Sequence, residues 1–111
     1  MPSLRVIVLR SPNLEDLKIF YELLGLHFTE EKHGKGPRHI SATLGDLVLE
    51  LYPGADQSLT RLGFSVPNVD QIVQNFKAAG GTLKQAPHEN DQGYQAILVD
   101  PDGRTIELTQ E

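Results

Sequence analysis

The sequence contains no cysteine, and this absence excludes several kinds of chemistry together. Disulfides, thiolate metal ligands and cysteine nucleophiles all require the thiol group, so none of them is available. Any metal ion would have to be held by histidine and carboxylate side chains. The chain also lacks a phosphate-binding glycine loop, a nucleophile elbow and a zinc-protease helix motif, so none of these sites is expected.

Long apolar runs and an excess of basic residues are missing as well. No stretch approaches the roughly 18 apolar residues that a membrane-spanning helix needs, and the first residues show no secretion-signal pattern. We therefore expect a cytoplasmic protein without a membrane partner. Ten Lys and Arg residues stand against fifteen Asp and Glu residues, and the formal charge of −5 repels nucleic-acid phosphates. Nucleic acid is accordingly not an expected partner.

The chain of 111 residues fits one domain, and its most informative feature is an internal repeat. The segment SPNLED at 11–16 recurs as VPNVDQ at 66–71, which indicates a tandem duplication. Apolar residues spaced as one helix face follow each copy. Asn13 and Asn68 are suited to cap these two helices at their first turns, and a glycine ends each helix.

Each half of the chain therefore predicts one β-α-β-β-β module. A short β-rich segment precedes each helix, and three further strand candidates follow it. The predicted fold is α+β, a single domain 1–111 made of a first module 3–57 and a second module 58–111 that pack together around one core. The predicted strands are 4–9, 27–32, 38–44 and 47–52 in the first module and 62–66, 82–85, 94–99 and 105–109 in the second.

Five segments carry a family resemblance: FYELLGL at 20–26, LELY at 49–52, LGFSVPNVD at 62–70, AAGG at 78–81 and DPDGRTIEL at 100–108. Each segment is weak evidence alone. In this order and spacing, together with the internal repeat, they are specific. On these segments the chain resembles the vicinal-oxygen-chelate superfamily, which contains glyoxalases, bleomycin-resistance proteins and extradiol dioxygenases.

The resemblance implies curled mixed sheets around a concave cavity, a small-molecule ligand in that cavity, and a homodimer. Enzymes of the superfamily hold a divalent metal ion through His or Glu side chains on the first and last strands of each half. Members that sequester drugs use no metal. The resemblance therefore leaves the activity open.

The resemblance also places Glu50 and Glu107 at two of the four metal-ligand positions. The two histidine positions carry Val6 and Arg61, which do not bind metal ions. Since a catalytic metal site needs three protein ligands beside an open position, we expect no metal cofactor. We hypothesise that the Arg61 guanidinium lies between Glu50 and Glu107 and neutralises both. In the alternative, Arg61 extends into solvent from a strand end.

The Gly45-Asp46 turn predicts the register of the hairpin around it, because side chains alternate between the two faces of a strand. Ser41 should lie opposite Glu50, and His39 opposite Tyr52. Their shared face is polar where a core would be apolar, so we interpret it as cavity lining, with His39 as a hydrogen-bonding or proton-transfer group. A rim histidine bonded to backbone is the alternative. The face comprises His39, Ser41, Thr43, Val48, Glu50 and Tyr52.

Three smaller expectations complete the candidate site. A replacement metal trio of His39, Glu50 and Glu107 could hold Ni, Zn, Mn or Fe. The glycine-rich stretch 30–39 is interpreted as a flap whose cations, with His33 as a ligand-binding candidate, favour anionic ligands. A solvated turn is the alternative reading of this stretch. The flap's counterpart in the second module is the loop 87–93, and Tyr94 is a further candidate for cavity lining.

Two functions remain open from the sequence, and so does the question whether the protein is an enzyme. The first is a metal-independent small-molecule binder of the glyoxalase and bleomycin-resistance type, supported by the loss of both family histidines. The second is a lyase, isomerase or dioxygenase of the glyoxalase type, in which Glu50, Glu107 and His39 are the catalytic residues. A subunit without any ligand is least favoured, because the predicted concave faces carry polar groups. We favour the binder.

Overall fold

Each half of the chain forms one helix and four strands in the predicted order β-α-β-β-β. The computed structural model describes residues 3–31, 34–55 and 60–111, and the chain forms two compact units, Met1–Gln57 and Ser58–Glu111. The first unit contains β1 (Val6–Ser11), α1 (Leu14–Leu23), β2 (Thr29–Glu31), β3 (His39–Leu44) and β4 (Leu47–Pro53). The second unit contains β5 (Leu62–Val66), α2 (Val69–Ala78), β6 (Gln85–Asn90), β7 (Gly93–Val99) and β8 (Thr105–Gln110).

Each unit has a four-stranded mixed sheet with the same arrangement of strands. The order across the sheet is β1-β4-β3-β2 in the first unit and β5-β8-β7-β6 in the second. The first and last strands of each unit pair in parallel, whereas the remaining neighbours are antiparallel. The predicted α+β fold of two βαβββ modules is thereby confirmed. That the two modules share one core stays a prediction.

The two helices begin in the same way, as the repeated Pro-Asn sequence predicts. The Oδ1 atom of Asn13 accepts a hydrogen bond from the backbone N–H of Asp16 at 3.2 Å, and that of Asn68 accepts one from Gln71 at 3.0 Å. Each bond satisfies an amide that the first helical turn leaves without a partner inside the helix. The equal caps give both helices the same starting point relative to their sheets.

Each helix packs its apolar face on one side of its own sheet. The other side of the sheet is left for polar side chains, because alternate strand residues point to opposite faces. In the first unit the buried apolar residues include Leu9, Leu17, Phe20, Tyr21, Leu49 and Leu51. In the second unit they include Val66, Val69, Val73, Phe76, Ala96, Leu98, Ile106 and Leu108.

The strand β6 departs most from the sequence-based expectation. It covers Gln85–Asn90, whereas the prediction placed a strand at 82–85 and a loop at 87–93. The pairing of β6 with β7 shifts register between Gln85 and His88. Pro87 lies at this shift, and proline has no N–H to donate to the ladder, so the strand continues through a bulge there. The predicted counterpart loop is therefore wrong.

Within the described ranges, neither helix has both the length and the apolar character needed to cross a membrane.

Candidate functional site

The β3–β4 hairpin of the first unit positions the polar side chains of the candidate site. Ser41 pairs with Glu50 and Leu44 with Leu47, which is the predicted register. Gly45 has a φ of +61°, a conformation that suits glycine at the first central position of a two-residue hairpin turn. The tight turn sets the register, and the register places Ser41 and Glu50 on the face turned away from α1.

His39 is the centre of this polar face. Its side chain is only 3% exposed, and its Nε2 atom lies 3.1 Å from an Oε2 of Glu50 and 3.6 Å from an Oε2 of Glu31. The Nδ1 atom lies 3.3 Å from the carbonyl oxygen of Pro37. Since a carbonyl oxygen only accepts, Nδ1 carries the proton in this bond. The imidazole therefore presents Nε2 to two carboxylates.

Glu31 enters the site from β2, and the sequence reasoning did not select it. It pairs with His39 across the β2–β3 ladder, and its Oε1 accepts a hydrogen bond from the Ser41 hydroxyl at 2.7 Å. The turn between these strands spans seven residues, so its length did not determine which residue of β2 faces His39. The signal that was present is the alternation of Thr29 and Glu31, which places both side chains on one face of the strand.

Tyr52 covers the imidazole of His39 on the same face. The two rings are stacked with centroids 4.3 Å apart and an angle of 6° between their planes. The guanidinium of Arg10, which pairs with Tyr52 across β1 and β4, lies 5.8 Å from the centre of the tyrosine ring. Such stacking limits the rotation of the imidazole and keeps Nε2 directed at the carboxylates.

Glu107 lies at the matching place in the second unit, but it has different partners. The Nη2 of Arg61 donates to its Oε2 at 2.7 Å, and the Nε2 of Gln95 donates to its Oε1 at 3.3 Å. Gln95 is buried, and it also donates to the Thr109 hydroxyl at 2.8 Å. Both carboxylate oxygens of Glu107 therefore already accept hydrogen bonds from the protein.

The strand registers show which residues of the two units correspond. Glu50 pairs with Val8, and Glu107 pairs with Gly63, so Val8 and Gly63 correspond. Two residues earlier on each chain segment, Arg61 therefore corresponds to Val6. Both Arg61 and Glu107 belong to the second unit. The part of the Arg61 hypothesis that involves Glu50 links the two units and stays a prediction.

Gln95 corresponds to His39 by the same comparison. In the second unit, Gln95 pairs with Thr109, which is two residues after Glu107. In the first unit, His39 lies opposite Tyr52, because the adjacent residues Ile40 and Leu51 are paired. Tyr52 is likewise two residues after Glu50. The sequence reasoning missed Gln95 because it left the length of the turn at 100–103 open. Five residues separate β7 from β8. With a turn of this length, the β7–β8 register places Gln95 on the same face as Glu107.

Tyr94 was expected to line the cavity, and the structure places it elsewhere. Its hydroxyl donates to Oδ1 of Asp70 in α2 at 2.6 Å, so its side chain lies on the helix side of the sheet, one residue out of phase with Gln95. The hydrogen bond to the Asp70 carboxylate raises the pKa of Tyr94, and loss of hydration and the negative charges of Asp70 and Glu89 raise it further. The correction follows from the strand alternation once the turn length is known.

The predicted flap and its cations are only partly described. Lys32 and His33 lie outside the described residues. Arg38 forms an exposed ion pair with Glu30, which reduces its availability to an anionic ligand. His88 is partly exposed, as expected for a surface residue, and its Nδ1 lies 3.0 Å from the Ala86 carbonyl oxygen.

A cleft of about 220 Å³ lies between α1 and the sheet of the first unit. Because Ile40 and α1 line it, the cleft lies on the side of the sheet opposite His39 and Glu50. His39, Glu50 and the residues that contact them therefore do not form it. Its lining residues are Leu14, Glu15, Lys18, Phe28, Glu30 and Ile40.

Comparison with protein families supplies the broader context for this geometry. A family model described as Glyoxalase/Bleomycin resistance protein/Dioxygenase superfamily matches residues 3–108. The chain belongs to this superfamily. The family predicted from the sequence is thus confirmed. A comparison with curated proteins found no significant match.

Several solved structures share the fold at low sequence identity. An antibiotic-binding protein, TnmS3 from Streptomyces, is 24% identical, with a TM-score of 0.80 over 99% of this chain and 96% of its own. A glyoxalase/bleomycin resistance protein/dioxygenase family enzyme from Burkholderia phytofirmans is 22% identical, with a TM-score of 0.75 over 98% of each chain. Lactoylglutathione lyase from Agrobacterium tumefaciens is 18% identical, with a TM-score of 0.66 over 97% of this chain and 92% of its own. These similarities show the fold.

The residues of this superfamily member do not fit the family's usual metal site. Of the four positions, those of Val6 and Arg61 supply no metal ligand. Glu107 already accepts bonds from Arg61 and Gln95, so its oxygens are engaged. Glu50 alone is left at the usual positions, and three ligands are needed. A different group, Glu31 with His39 and Glu50, has donor atoms that all lie within 4.8 Å of one another.

Proposed function

We propose that this glyoxalase-superfamily protein binds a small molecule on the polar faces of its sheets without the family's usual metal ion. The observation that carries the proposal is the ion pair of Arg61 with Glu107 at 2.7 Å. In this second unit a guanidinium supplies the positive charge that a metal ion supplies to the carboxylate in metal-using members. The Glu107 carboxylate is thus retained, and Arg61 neutralises it in place of a metal ion.

The first unit offers the surface that such a ligand would contact. Val6 and Val8 are 47% and 38% exposed on β1, and Val8 pairs with Glu50. Leu9, the next residue of β1, is buried and pairs with Leu51, so Val8 lies on the opposite face, together with Glu50. Exposed valines on the face that carries Glu50 suit a ligand with an apolar body and a polar group. The ligand-binding residues we propose are His39, Ser41, Tyr52 and Arg61.

The similar fold of an antibiotic-binding protein supports an antibiotic-like ligand as the first class to test. We also propose a homodimer in which a second copy completes the cavity, and a cytoplasmic location. Light scattering after size exclusion should then give a mass near twice the 12.3 kDa of the chain. A monomer mass would contradict the dimer and leave the binding proposal to be tested separately.

The experiment is a thermal-shift screen of antibiotics of several chemical classes against the protein in EDTA. A compound at a hundred times its Kd should stabilise the fold by about 2.7 kcal/mol. Val8→Ser should remove the shift, because it withdraws apolar contact beside Glu50. Ile19→Ser is the matched control, since Ile19 is a 47% exposed apolar residue of α1 and lies away from this face. An equal effect of both variants would contradict the proposed face.

A second candidate function is a metal-dependent lyase, isomerase or dioxygenase of the glyoxalase type. The grouping of Glu31, His39 and Glu50 favours it, because such residues can hold a metal ion and move protons. In that case His39, Glu50 and Glu107 would be the catalytic residues. Turnover of the methylglyoxal–glutathione adduct that stops in EDTA and returns with a divalent ion would favour this enzyme over the metal-free binder.

A further inference from the structure

Glu31, His39 and Glu50 meet on one face of the first unit's sheet. We propose that these three residues form a divalent-metal site contained in the first unit, at a place other than the superfamily's usual site. The proposed site draws on β2, β3 and β4, whereas the usual one draws on the first and last strands of both modules. Glu50 alone is common to the two. The proposal goes beyond small-molecule binding and does not depend on it.

The spacing of the donor atoms suits a small coordination sphere. Donors that lie about 2.1 Å from a tetrahedral ion are about 3.4 Å from one another. The Nε2 of His39 lies 3.1 Å from Glu50 Oε2 and 3.6 Å from Glu31 Oε2, on either side of that value. All three donor groups lie within 4.8 Å of one another. An ion can therefore be reached by all three with small side-chain adjustments.

The surrounding residues hold the three donors in the orientation that a metal needs. The Pro37 carbonyl accepts the Nδ1 proton of His39, which leaves Nε2 as the nitrogen directed at the carboxylates. The Ser41 hydroxyl donates to one oxygen of Glu31 and leaves the other directed at His39. Bonds of this kind from the groups behind the ligands are typical of metal sites.

Charge gives a further reason for a cation at this place. Two carboxylates, 36% and 21% exposed, lie beside one buried imidazole. A divalent ion bound to Nε2 of His39 and to both carboxylates would relieve their mutual repulsion. Nitrogen and carboxylate donors suit Zn²⁺, Mn²⁺ or Fe²⁺.

The second unit indicates how many metal ions one chain should bind. At the place of His39 it has Gln95, whose amide donates a hydrogen bond to Glu107, and Arg61 already neutralises that carboxylate. An amide nitrogen is not a metal ligand, and a guanidinium excludes a cation. We therefore expect one ion per chain.

The test is isothermal titration of the EDTA-stripped full chain with ZnCl₂ and, separately, MnCl₂. We expect one ion per chain, with Zn²⁺ affinity reduced at least about tenfold in Glu31→Gln and more in His39→Gln. Glu30→Gln is the matched control, because Glu30 is the neighbour of Glu31 on the opposite face of β2. An affinity that is equal in the Glu31 and Glu30 variants, or a protein that takes up no ion, would overturn the proposal.

Two further measurements keep the result interpretable if a variant folds poorly. In the unaltered protein, Mn²⁺ should broaden the amide NMR signals of Ile40 and Ser41 before those of β7 and β8. Broadening centred on other residues would overturn the proposal. Glu107→Gln tests the alternative metal trio of His39, Glu50 and Glu107. A loss of Zn²⁺ affinity as large as that in Glu31→Gln would assign the ion to this trio and overturn the first-unit site.

Discussion

The two halves of this protein share one topology and differ in how each treats the carboxylate at the same place in its sheet. Glu50 in the first unit lies 3.1 Å from the imidazole of His39. Glu107 in the second unit accepts hydrogen bonds from Arg61 and from Gln95. An imidazole nitrogen can bind a metal ion, whereas a guanidinium and an amide nitrogen cannot. Of the two carboxylates, Glu50 therefore has the neighbour that could help to hold a metal ion.

The difference teaches that a duplicated backbone can keep a carboxylate in place while its chemistry changes through the neighbouring side chains. His39 and Gln95 occupy corresponding places on β3 and β7, and each approaches its carboxylate from the same direction. The Nε2 of His39 lies 3.1 Å from Glu50, and the amide of Gln95 donates a hydrogen bond to Glu107. The choice between imidazole and amide decides whether a metal ion can also bind.

The turns that precede the two carboxylate strands differ as well. Gly45-Asp46 joins β3 to β4 with two exposed residues. The longer turn between β7 and β8 contains a buried ion pair, in which Arg104 Nη1 lies 3.0 Å from Asp100 Oδ2. The Oδ1 of Asp100 also accepts from the backbone N–H of Arg104 at 3.0 Å. A second carboxylate, that of Asp102, lies 3.3 Å from the same Nη1, so the turn is built around Arg104 and two aspartates.

The largest expected effect concerns these turns. Asp100→Ala should lower the free energy of unfolding by about 3 kcal/mol, because it removes the buried carboxylate nearest to the Arg104 guanidinium and leaves Asp102, at 3.3 Å, as a more distant partner. Asp46→Ala, its counterpart in the exposed first turn, should change it by less than about 0.5 kcal/mol. Urea unfolding followed by circular dichroism measures both. Similar losses in the two variants would show that the turns do not differ as described.

The next effect should be equal in the two halves. Asn13→Ala and Asn68→Ala each remove one hydrogen bond to a first-turn amide, and each should lower the free energy of unfolding by about 1 kcal/mol. The same denaturation assay measures both. A loss confined to one variant would contradict the equivalence of α1 and α2.

The smallest effect concerns Tyr94, whose pKa is raised by the hydrogen bond to Asp70. Asp70→Ala should lower the pKa of Tyr94 toward its ordinary value, as followed by NMR titration of ring-labelled tyrosine. Because the pKa in the folded protein is the higher one, the contribution of this bond to stability is present at neutral pH and lost as pH rises through the raised pKa. Glu15→Ala, at the corresponding place in α1, is the control and should leave that pKa unchanged.

Much of the site could be predicted where a short connection determined the register. The two-residue turn at Gly45-Asp46 placed Ser41 opposite Glu50, as the structure shows. The register across the longer connections could not be predicted in this way. Glu31 follows from the pairing of β2 with β3, and Gln95 from the five-residue turn before β8. In both cases a change of one residue in register would turn the side chain to the opposite face.

The sequence by itself determined the duplicated βαβββ order, the helix caps and the absence of two family metal ligands, because repeats, capping residues and residue types are local properties. Tertiary structure decided that Glu31 joins His39 and Glu50, that Gln95 joins Arg61 at Glu107, and that Tyr94 faces α2. These contacts join residues of different secondary-structure elements. Their partners depend on strand register, which local preferences do not specify across long turns.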